Sequence, residues 1–155
     1  MPMNQGCVGK VYPPTAPYEV GREKIREFAA AVREGGAACW DVEAARALGY
    51  PDLVAPPSFP MVMTLEAEHD AVHDPELGAA DQERFVHREQ RFAYSRPIHA
   101  GDVLTVTVRL AGIDSIGDND VVNYESTITD AVGEHVCTAR STFVIFGQSG
   151  RDDAS

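Results

Sequence analysis

The stretch Ala55–Asp70 constrains the fold of this chain more than any other part of the sequence. Ser58 can cap the first amides of a helix, and Pro60 has the fixed φ that suits a helix start. The first two turns have no polar face, since they carry Phe59, Met61, Val62, Met63 and Leu65. A helix that is apolar all round is buried, and each such side chain contributes roughly 1.5–3 kcal/mol when it leaves water. We therefore expect a helix over Phe59–Glu68 that the rest of the chain wraps.

Two shorter helices are predicted before it. In Arg22–Arg33 the apolar residues recur at the helical spacing i, i+3, i+4 and i+7, and they are Ile25, Phe28, Ala29 and Val32. The two glycines that follow are expected to end this helix, because glycine is the usual residue past a helix end. Asp41–Leu48 predicts a second, shorter helix. A proline-rich arm, Met1–Pro17, and a short extended piece at Tyr18–Val20 precede both.

Beyond a polar segment at His69–Gln82, the apolar period changes from about 3.6 to 2. Four segments rich in Val, Thr, Tyr and Phe predict strands: Arg84–Phe92, Val103–Ala111, Val121–Thr129 and His135–Phe146. Turn residues separate them, so we expect an antiparallel meander. With the N-terminal extended piece, this sheet can curl around the buried helix, which predicts an α+β hot-dog fold. We expect a single domain over residues 9–146, with flexible termini at 1–8 and 147–155.

Composition excludes several classes of function. The net charge of −11 argues against nucleic acid and anionic membranes, because phosphate groups demand a basic surface. Apolar runs are far too short for a membrane span, and Met1–Gly9 lacks the features of a signal peptide. The three cysteines form no C-x-x-C pair, which favours reduced thiols over a disulfide framework. We expect a cytoplasmic protein that needs no metal or cofactor.

Four short motifs follow one another along the chain: Phe28-Ala29, Ala45–Tyr50, Ala55–Ser58 and the turn Arg96–Leu104 with its Gly-Asp-Val-Leu end. Their order and spacing resemble those of the MaoC-like dehydratases and (R)-specific enoyl hydratases. The likeness spans roughly residues 9 to 145. Members of this family have a hot-dog fold and add or remove water across the 2,3 bond of acyl thioesters. The resemblance therefore implies an acyl thioester, carried by acyl carrier protein (ACP) or by coenzyme A, as the substrate class.

The family's catalytic residues are largely replaced in this chain. Members use a carboxylate and an imidazole five residues apart as a general acid–base pair, and a backbone amide at the start of the buried helix polarises the thioester oxygen. The ungapped match puts Glu34 at the carboxylate, Gly36 at an Asn position and Cys39 at the imidazole. It puts Pro57 at the glycine whose amide would donate, and proline has no N–H. The resemblance implies degenerate catalytic positions at Glu34 and Cys39.

The likeness is closest to the non-catalytic subunits of heterodimeric 3-hydroxyacyl thioester dehydratases in actinobacterial long-chain fatty-acid synthesis. It covers Val8–Tyr12, Tyr18–Glu27 and Ala55–Phe59. It implies a subunit that binds the acyl chain, either as a homodimer or as a heterodimer with a catalytic MaoC-like subunit. The implied substrate-binding residues are Pro57, Phe59, Met61 and Val62, although the methionines of the buried helix also suit a plain core.

Two other functions stay open: a stand-alone thioesterase or hydratase that uses Glu34, and a non-enzymatic acyl-thioester binder.

Several residues have two interpretations, one functional and one purely structural. Cys39 beside Trp40 is either a nucleophile or a packing residue. The i, i+4 pair of His69 and His73 suits a metal, or simply the solvated end of a helix. His87 and Glu89, expected on one strand face, form either a proton relay or an interface. The arginine-rich segments 84–96 and 22–26 suit either a carrier phosphate or ordinary surface.

Overall fold

The computed structural model describes residues 3–78 and 84–147. Its main element is an antiparallel sheet of five strands. The strands are β1 (Tyr18–Glu19), β2 (Phe85–Tyr94), β3 (Val103–Ile116), β4 (Asn119–Thr129) and β5 (His135–Ile145), in the spatial order β1-β3-β4-β5-β2. The helices are α1 (Arg22–Ala31), α2 (Val42–Ala47) and α3 (Met61–Val72), with short 3-10 turns at Gln5–Cys7, Ala37–Cys39 and Pro75–Leu77. The predicted α+β hot-dog fold is confirmed. None of these helices is long and apolar enough to cross a membrane.

Strands β3, β4 and β5 alternate buried and half-exposed residues, as the period of two requires. The buried set forms the concave face, and it includes Leu104, Val106 and Val108 of β3, Tyr124 and Ile128 of β4, and Ala139 and Phe143 of β5. Helix α3 lies over the β3 and β4 half of this face, with Met63 and Ala71 turned into the core. Each inward residue of the sheet therefore has either α3 or a neighbouring strand residue to pack against.

The predicted meander holds for β3, β4 and β5, but it is wrong for β2. That strand pairs with β5, where Tyr94 lies opposite Cys137, and it forms an edge of the sheet. The connection after β2 is not a hairpin, because the Ala55 N–H donates to the Ile98 carbonyl oxygen at 2.8 Å and holds this segment against the start of α3. The period of two identifies a strand but does not choose its neighbour.

Helix α3 differs from the prediction in its limits and in its faces. It begins at Met61 and ends at Val72, and one side of it stays open to solvent, where Leu65 is 45% exposed. Glu68, expected on the polar part, is only 1% exposed. Hydroxyl groups on the sheet explain this burial, because Ser126 and Ser141 both donate hydrogen bonds to the Glu68 carboxyl. The helix is therefore covered by the sheet on one side only.

Two chain segments near the ends of elements also differ from expectation. Helix α1 ends at Ala31, and the left-handed residue beyond it is Arg33, with φ of 58°, instead of either following glycine. Within residues 3–8, expected to be flexible, Met3 and Cys7 are buried, with 4% and 5% of their surface exposed. The Asn4 N–H donates to the Leu77 carbonyl oxygen at 2.9 Å. The rest of the expected flexible termini, residues 1, 2 and 148–155, lies outside the described residues.

Candidate functional site

A cavity of about 540 Å³ opens between the segment after α1, the start of α3 and the end of β2. Four residues that the motif match puts at the family's catalytic positions line it: Glu34, Gly36, Cys39 and Pro57. The chain thus brings together residues that are up to 23 positions apart, counted from 34 to 57. The other lining residues are mainly alanine, valine and proline, so the cavity is largely apolar. This is the size and character of a small-molecule site.

The Glu34 carboxylate is held by its own loop. Its Oε1 accepts a hydrogen bond from the Gly36 N–H at 2.9 Å, and its backbone oxygen accepts one from Trp40 Nε1 at 2.8 Å. The left-handed Arg33 precedes it and lets the Glu34 N–H reach the Ala29 carbonyl oxygen at 2.8 Å, which closes the end of α1. The loop therefore orients the carboxylate without pairing it to a basic side chain.

The Cys39 side chain faces the same cavity but has the environment of a packing residue. It is 7% exposed, and burial, helped by the Glu34 carboxylate, raises the pKa of its thiol. A nucleophilic cysteine needs the opposite shift, since the thiolate is the reactive form. The packing interpretation is therefore favoured for Cys39, which offers the cavity a neutral thiol at neutral pH.

The start of α3 presents an acceptor to the cavity wall. Pro57 has no N–H, and its carbonyl oxygen accepts a hydrogen bond from the Tyr94 hydroxyl at 2.6 Å. An oxyanion hole requires donors aimed at the developing negative charge. Position 57 therefore lacks the donor that the catalytic members of the family have there, and it is instead tied to strand β2.

The other residues implied in substrate binding lie apart from this cavity. Phe59 is fully buried, and its ring packs edge-on against Phe28 with 5.5 Å between centroids. Val62 lines a second, more polar cavity of about 400 Å³ between α3 and the arm. Met61 is half-buried and is not among the lining residues of either cavity. Among the four residues, only Pro57 lines the cavity that holds Glu34.

The structure separates His87 and Glu89, which were expected on one face of a strand. A register shift between His87 and Glu89 puts His87 opposite the buried Phe143 and Glu89 opposite the half-exposed Thr142. The expected placement on one face is therefore wrong, because the prediction could not foresee a β-bulge.

The proposed metal pair, His69 and His73, forms a ring stack with 4.1 Å between the ring centroids. Within residues 3–78 and 84–147, no group of three or more metal-binding side chains forms.

The arginines near the cavity are already paired with carboxylates. Arg96 lines the rim, where its guanidinium donates to Asp102 at 2.9 and 3.0 Å and reaches Asp130 at 3.5 Å. Arg22 pairs with Asp52 at 2.8 Å, and these contacts raise the arginine pKa values further. Guanidinium groups already neutralised in this way have little charge left for a carrier phosphate, so the plainer surface interpretation is favoured.

Sequence reasoning missed two features of the cavity wall. One is Tyr94, and the other is Ser95, whose hydroxyl lies 2.5 Å from Nδ1 of His135. Both depend on the pairing of β2 with β5, which the sequence pattern does not specify. The only signal for Tyr94 in the sequence was an aromatic residue just beyond the end of the predicted strand Arg84–Phe92.

Comparisons with known proteins agree with this fold. Residues 7–139 match the family model of the FAS1-like dehydratase domain region. A UPF0336 protein of Streptomyces coelicolor is 50% identical over 144 residues, which cover 93% of this chain and 95% of that protein. A UPF0336 protein of Saccharopolyspora erythraea is 48% identical over 147 residues, with coverage of 95% and 94%.

Two solved structures are also similar to this chain. A MaoC-like dehydratase superposes with a TM-score of 0.86 at 34% identity, over 94% of this chain but only 44% of that longer chain. A C-terminally truncated HadBC complex of Mycobacterium tuberculosis, a (3R)-hydroxyacyl-ACP dehydratase, gives 0.79 at 32% identity, with coverage of 89% and 96%. The resemblance to MaoC-like dehydratases is confirmed by these matches. The chain belongs to the FAS1-like dehydratase domain family, with UPF0336 proteins as its relatives and the MaoC-like hot-dog fold as its architecture.

Proposed function

We propose that this chain is the acyl-thioester-binding subunit of a (3R)-hydroxyacyl-ACP or (3R)-hydroxyacyl-CoA dehydratase in cytoplasmic fatty-acid metabolism. One observation carries the proposal: a largely apolar cavity brings together the four positions that match the family's catalytic groups, and among the described lining residues only Glu34 has a carboxylate. Among the described residues that line it, none is a histidine. A partner subunit with an intact carboxylate and imidazole pair would supply the catalytic groups.

The magnitudes favour a binding role over a catalytic one. A positioned proton-transfer group contributes about 10²–10⁴-fold to a rate, and an oxyanion donor contributes about 10²–10³-fold. Cys39 and Pro57 replace both groups, and the raised thiol pKa keeps Cys39 from acting as a base. Glu34 can offer a carboxylate, but it cannot supply a second ionisable group or an amide hydrogen. The two replacements leave a largely apolar cavity that can still take an acyl chain.

Two comparisons support the pairing with a second subunit. The HadBC structure is a complex by its description, and this chain spans 96% of the chain it matches there. The similar MaoC-like dehydratase chain is more than twice as long as the region matched, which leaves room for a second domain of this size. A hot-dog domain that acts beside another one is therefore the arrangement we propose, as a homodimer or as a heterodimer with a catalytic subunit.

One observation favours a second candidate, a stand-alone enzyme based on Glu34. The carboxylate lies in the wall of an apolar cavity, where a thioesterase could use it to activate water. Only its Oε1 is engaged by the Gly36 N–H. A non-enzymatic acyl-thioester binder would show neither activity, with or without a partner.

The experiment measures hydration and hydrolysis of a 2-enoyl-CoA by the purified chain, by its Glu34→Gln variant and by the chain co-purified with a MaoC-like subunit that has the intact pair. Glu43→Gln, at an exposed residue of α2, is the matched control. We expect turnover from the complex only. Robust turnover by the chain alone, lost in Glu34→Gln and kept in Glu43→Gln, would overturn the proposal in favour of the Glu34 enzyme.

A further inference from the structure

Tyr94 is the last residue of β2, and its side chain faces the concave side of the sheet. It lies opposite Cys137, which is fully buried, and directly opposed residues of antiparallel strands share a face. It also lines the cavity that holds Glu34 and Cys39. The phenol therefore stands where the cavity meets the interior of the hot-dog fold.

A hydrogen bond holds the Tyr94 ring across this boundary. Its hydroxyl donates to the Pro57 carbonyl oxygen at 2.6 Å, so the ring bridges the edge strand and the start of α3. Burial raises the pKa of this phenol, which keeps its proton available for the bond. Pro57 has a fixed φ, which restricts movement of the segment that carries the acceptor. The ring is thus braced at both ends.

The next inward residue of β2, Phe92, lies just behind this wall. Its ring centroid is 6.4 Å from that of Tyr94, and it pairs with the buried Ala139, yet Phe92 does not line the cavity. The Tyr94 ring therefore separates the cavity from an apolar region of the concave face. Removing the ring would connect the cavity to this apolar region.

Beyond Phe92 the same face becomes polar. Gln90 is the next inward residue, and the Ser141 hydroxyl lies 2.7 Å from Gln90 Oε1 and 2.8 Å from Glu68 Oε1. Four residues at roughly 3.3 Å each place this network about 13 Å from Tyr94 along the strand. An apolar chain end cannot satisfy buried polar groups, so this network is a poor neighbour for a hydrocarbon tail.

We propose that Tyr94 is the specificity-determining residue that closes the inner end of the cavity, so that this subunit selects thioesters of short acyl chains. The Gln90, Ser141 and Glu68 network then limits how far a longer chain could extend if the ring were absent. The inference rests on the proposed function, because it assumes that the cavity takes the acyl chain of a thioester.

The test measures direct binding of butanoyl-, octanoyl-, dodecanoyl- and hexadecanoyl-CoA by calorimetry, so it needs no catalytic activity. The proteins are the wild type, Tyr94→Ala and Tyr94→Phe, with Tyr50→Ala as the control at a tyrosine outside the cavity. Tyr94→Trp enlarges the side chain and keeps the proposal testable if Tyr94→Ala does not fold.

We expect the wild type to bind butanoyl-CoA and to gain nothing from longer chains. Tyr94→Ala should gain about fourfold in affinity for each further methylene that enters, up to the polar network. Tyr94→Phe, which only frees the Pro57 carbonyl, should shift less, and Tyr94→Trp should weaken even the shorter chains. The same length preference in all variants would overturn the role of Tyr94 and leave the proposed function standing. Absence of binding by the wild type would overturn both.

Discussion

The carboxyl group of Glu68 links helix α3 to the sheet from inside the core. Glu68 is 1% exposed, and its Oε1 accepts hydrogen bonds from Ser126 at 2.9 Å and Ser141 at 2.8 Å. Its Oε2 has no hydrogen-bond partner within the described residues. Burial raises the pKa of this carboxyl to about 7, and the two hydroxyl groups offset only part of that shift. The side chain is therefore half protonated near neutral pH.

This shift predicts a pH dependence of stability. The ordinary pKa is 4.5, so between 4.5 and about 7 the folded state binds a proton that the unfolded chain releases. The free energy of unfolding is thus highest below pH 4.5 for this group and falls as pH rises through 7, by about 3 kcal/mol in all. We expect Glu68→Gln to remove this slope in urea titrations from about pH 5 to 8. An unchanged slope, with Glu66→Gln on the exposed side as control, would contradict the assignment.

Arg33 offers a second prediction for a single residue. A side chain in the left-handed region is strained, with a cost of roughly 1–2 kcal/mol, and Arg33 has φ of 58°. Arg33→Gly should therefore stabilise the fold by about 0.5–1 kcal/mol, because the gain in the folded state exceeds the added freedom of the unfolded chain. Urea denaturation of Arg33→Gly and Arg33→Ala would check this. Equal midpoints for the two variants would show that the residue is not strained.

At the scale of elements, the segment that leads into α3 joins the core through Phe59. Phe59 is fully buried against Phe28, whereas Val62 is half-buried beside the arm. We expect Phe59→Ala to cost about 3–5 kcal/mol of stability, as large core truncations do, and Val62→Ala to cost much less. Thermal and urea denaturation would measure both. A small loss of stability for Phe59→Ala, together with weaker thioester binding, would instead show that Phe59 binds the substrate.

Strand β2 is the open edge of the sheet, since the arm and β1 cover the other side at β3. Unpaired edges accept another strand, so we expect the chain to dimerise through β2. Val86 on this strand is 47% exposed, and Val86→Lys should weaken the dimer because charge on an edge disfavours strand addition. Val132→Lys, in the exposed turn before β5, is the control. Sedimentation that finds only monomer for the wild type at micromolar concentration would contradict this.

The predictable part of the structure follows from local patterns. Apolar periods predicted α1, α3 and strands β2 to β5, although β3 runs five residues and α3 four residues past the predicted ends. The resemblance brought Glu34, Cys39 and Pro57 to one site before any contact was known. The pairing of β2 with β5 could not be predicted, because a strand pattern carries no information about its neighbour. The burial of Glu68 could not be predicted either, since its partners come from two strands 58 and 73 residues away in sequence.

At the scale of the whole molecule, the proposed function divides the work between two hot-dog domains. This chain has the fold, a largely apolar cavity and, within the described residues, an unpaired edge at β2, while the positions that match the family's catalytic groups carry a carboxylate, a neutral thiol and a proline. The net charge of −11 and the carboxylate-paired Arg22 and Arg96 leave it with little attraction for free phosphate. Under the proposed function, this chain contributes substrate binding, measured by KM, and the partner carries out the chemical step, measured by kcat.

The most direct measurement is steady-state hydration of a 2-enoyl-CoA by the complex of this chain with a catalytic MaoC-like subunit, with Glu34→Gln introduced here alone. We expect kcat to stay within about twofold of the wild-type complex, because Glu34 moves no proton in the proposed reaction. Mutation of the partner's catalytic imidazole should lower kcat by about 10²–10⁴-fold in the same assay. A comparable loss from Glu34→Gln, with KM unchanged, would contradict the central claim and make this chain catalytic.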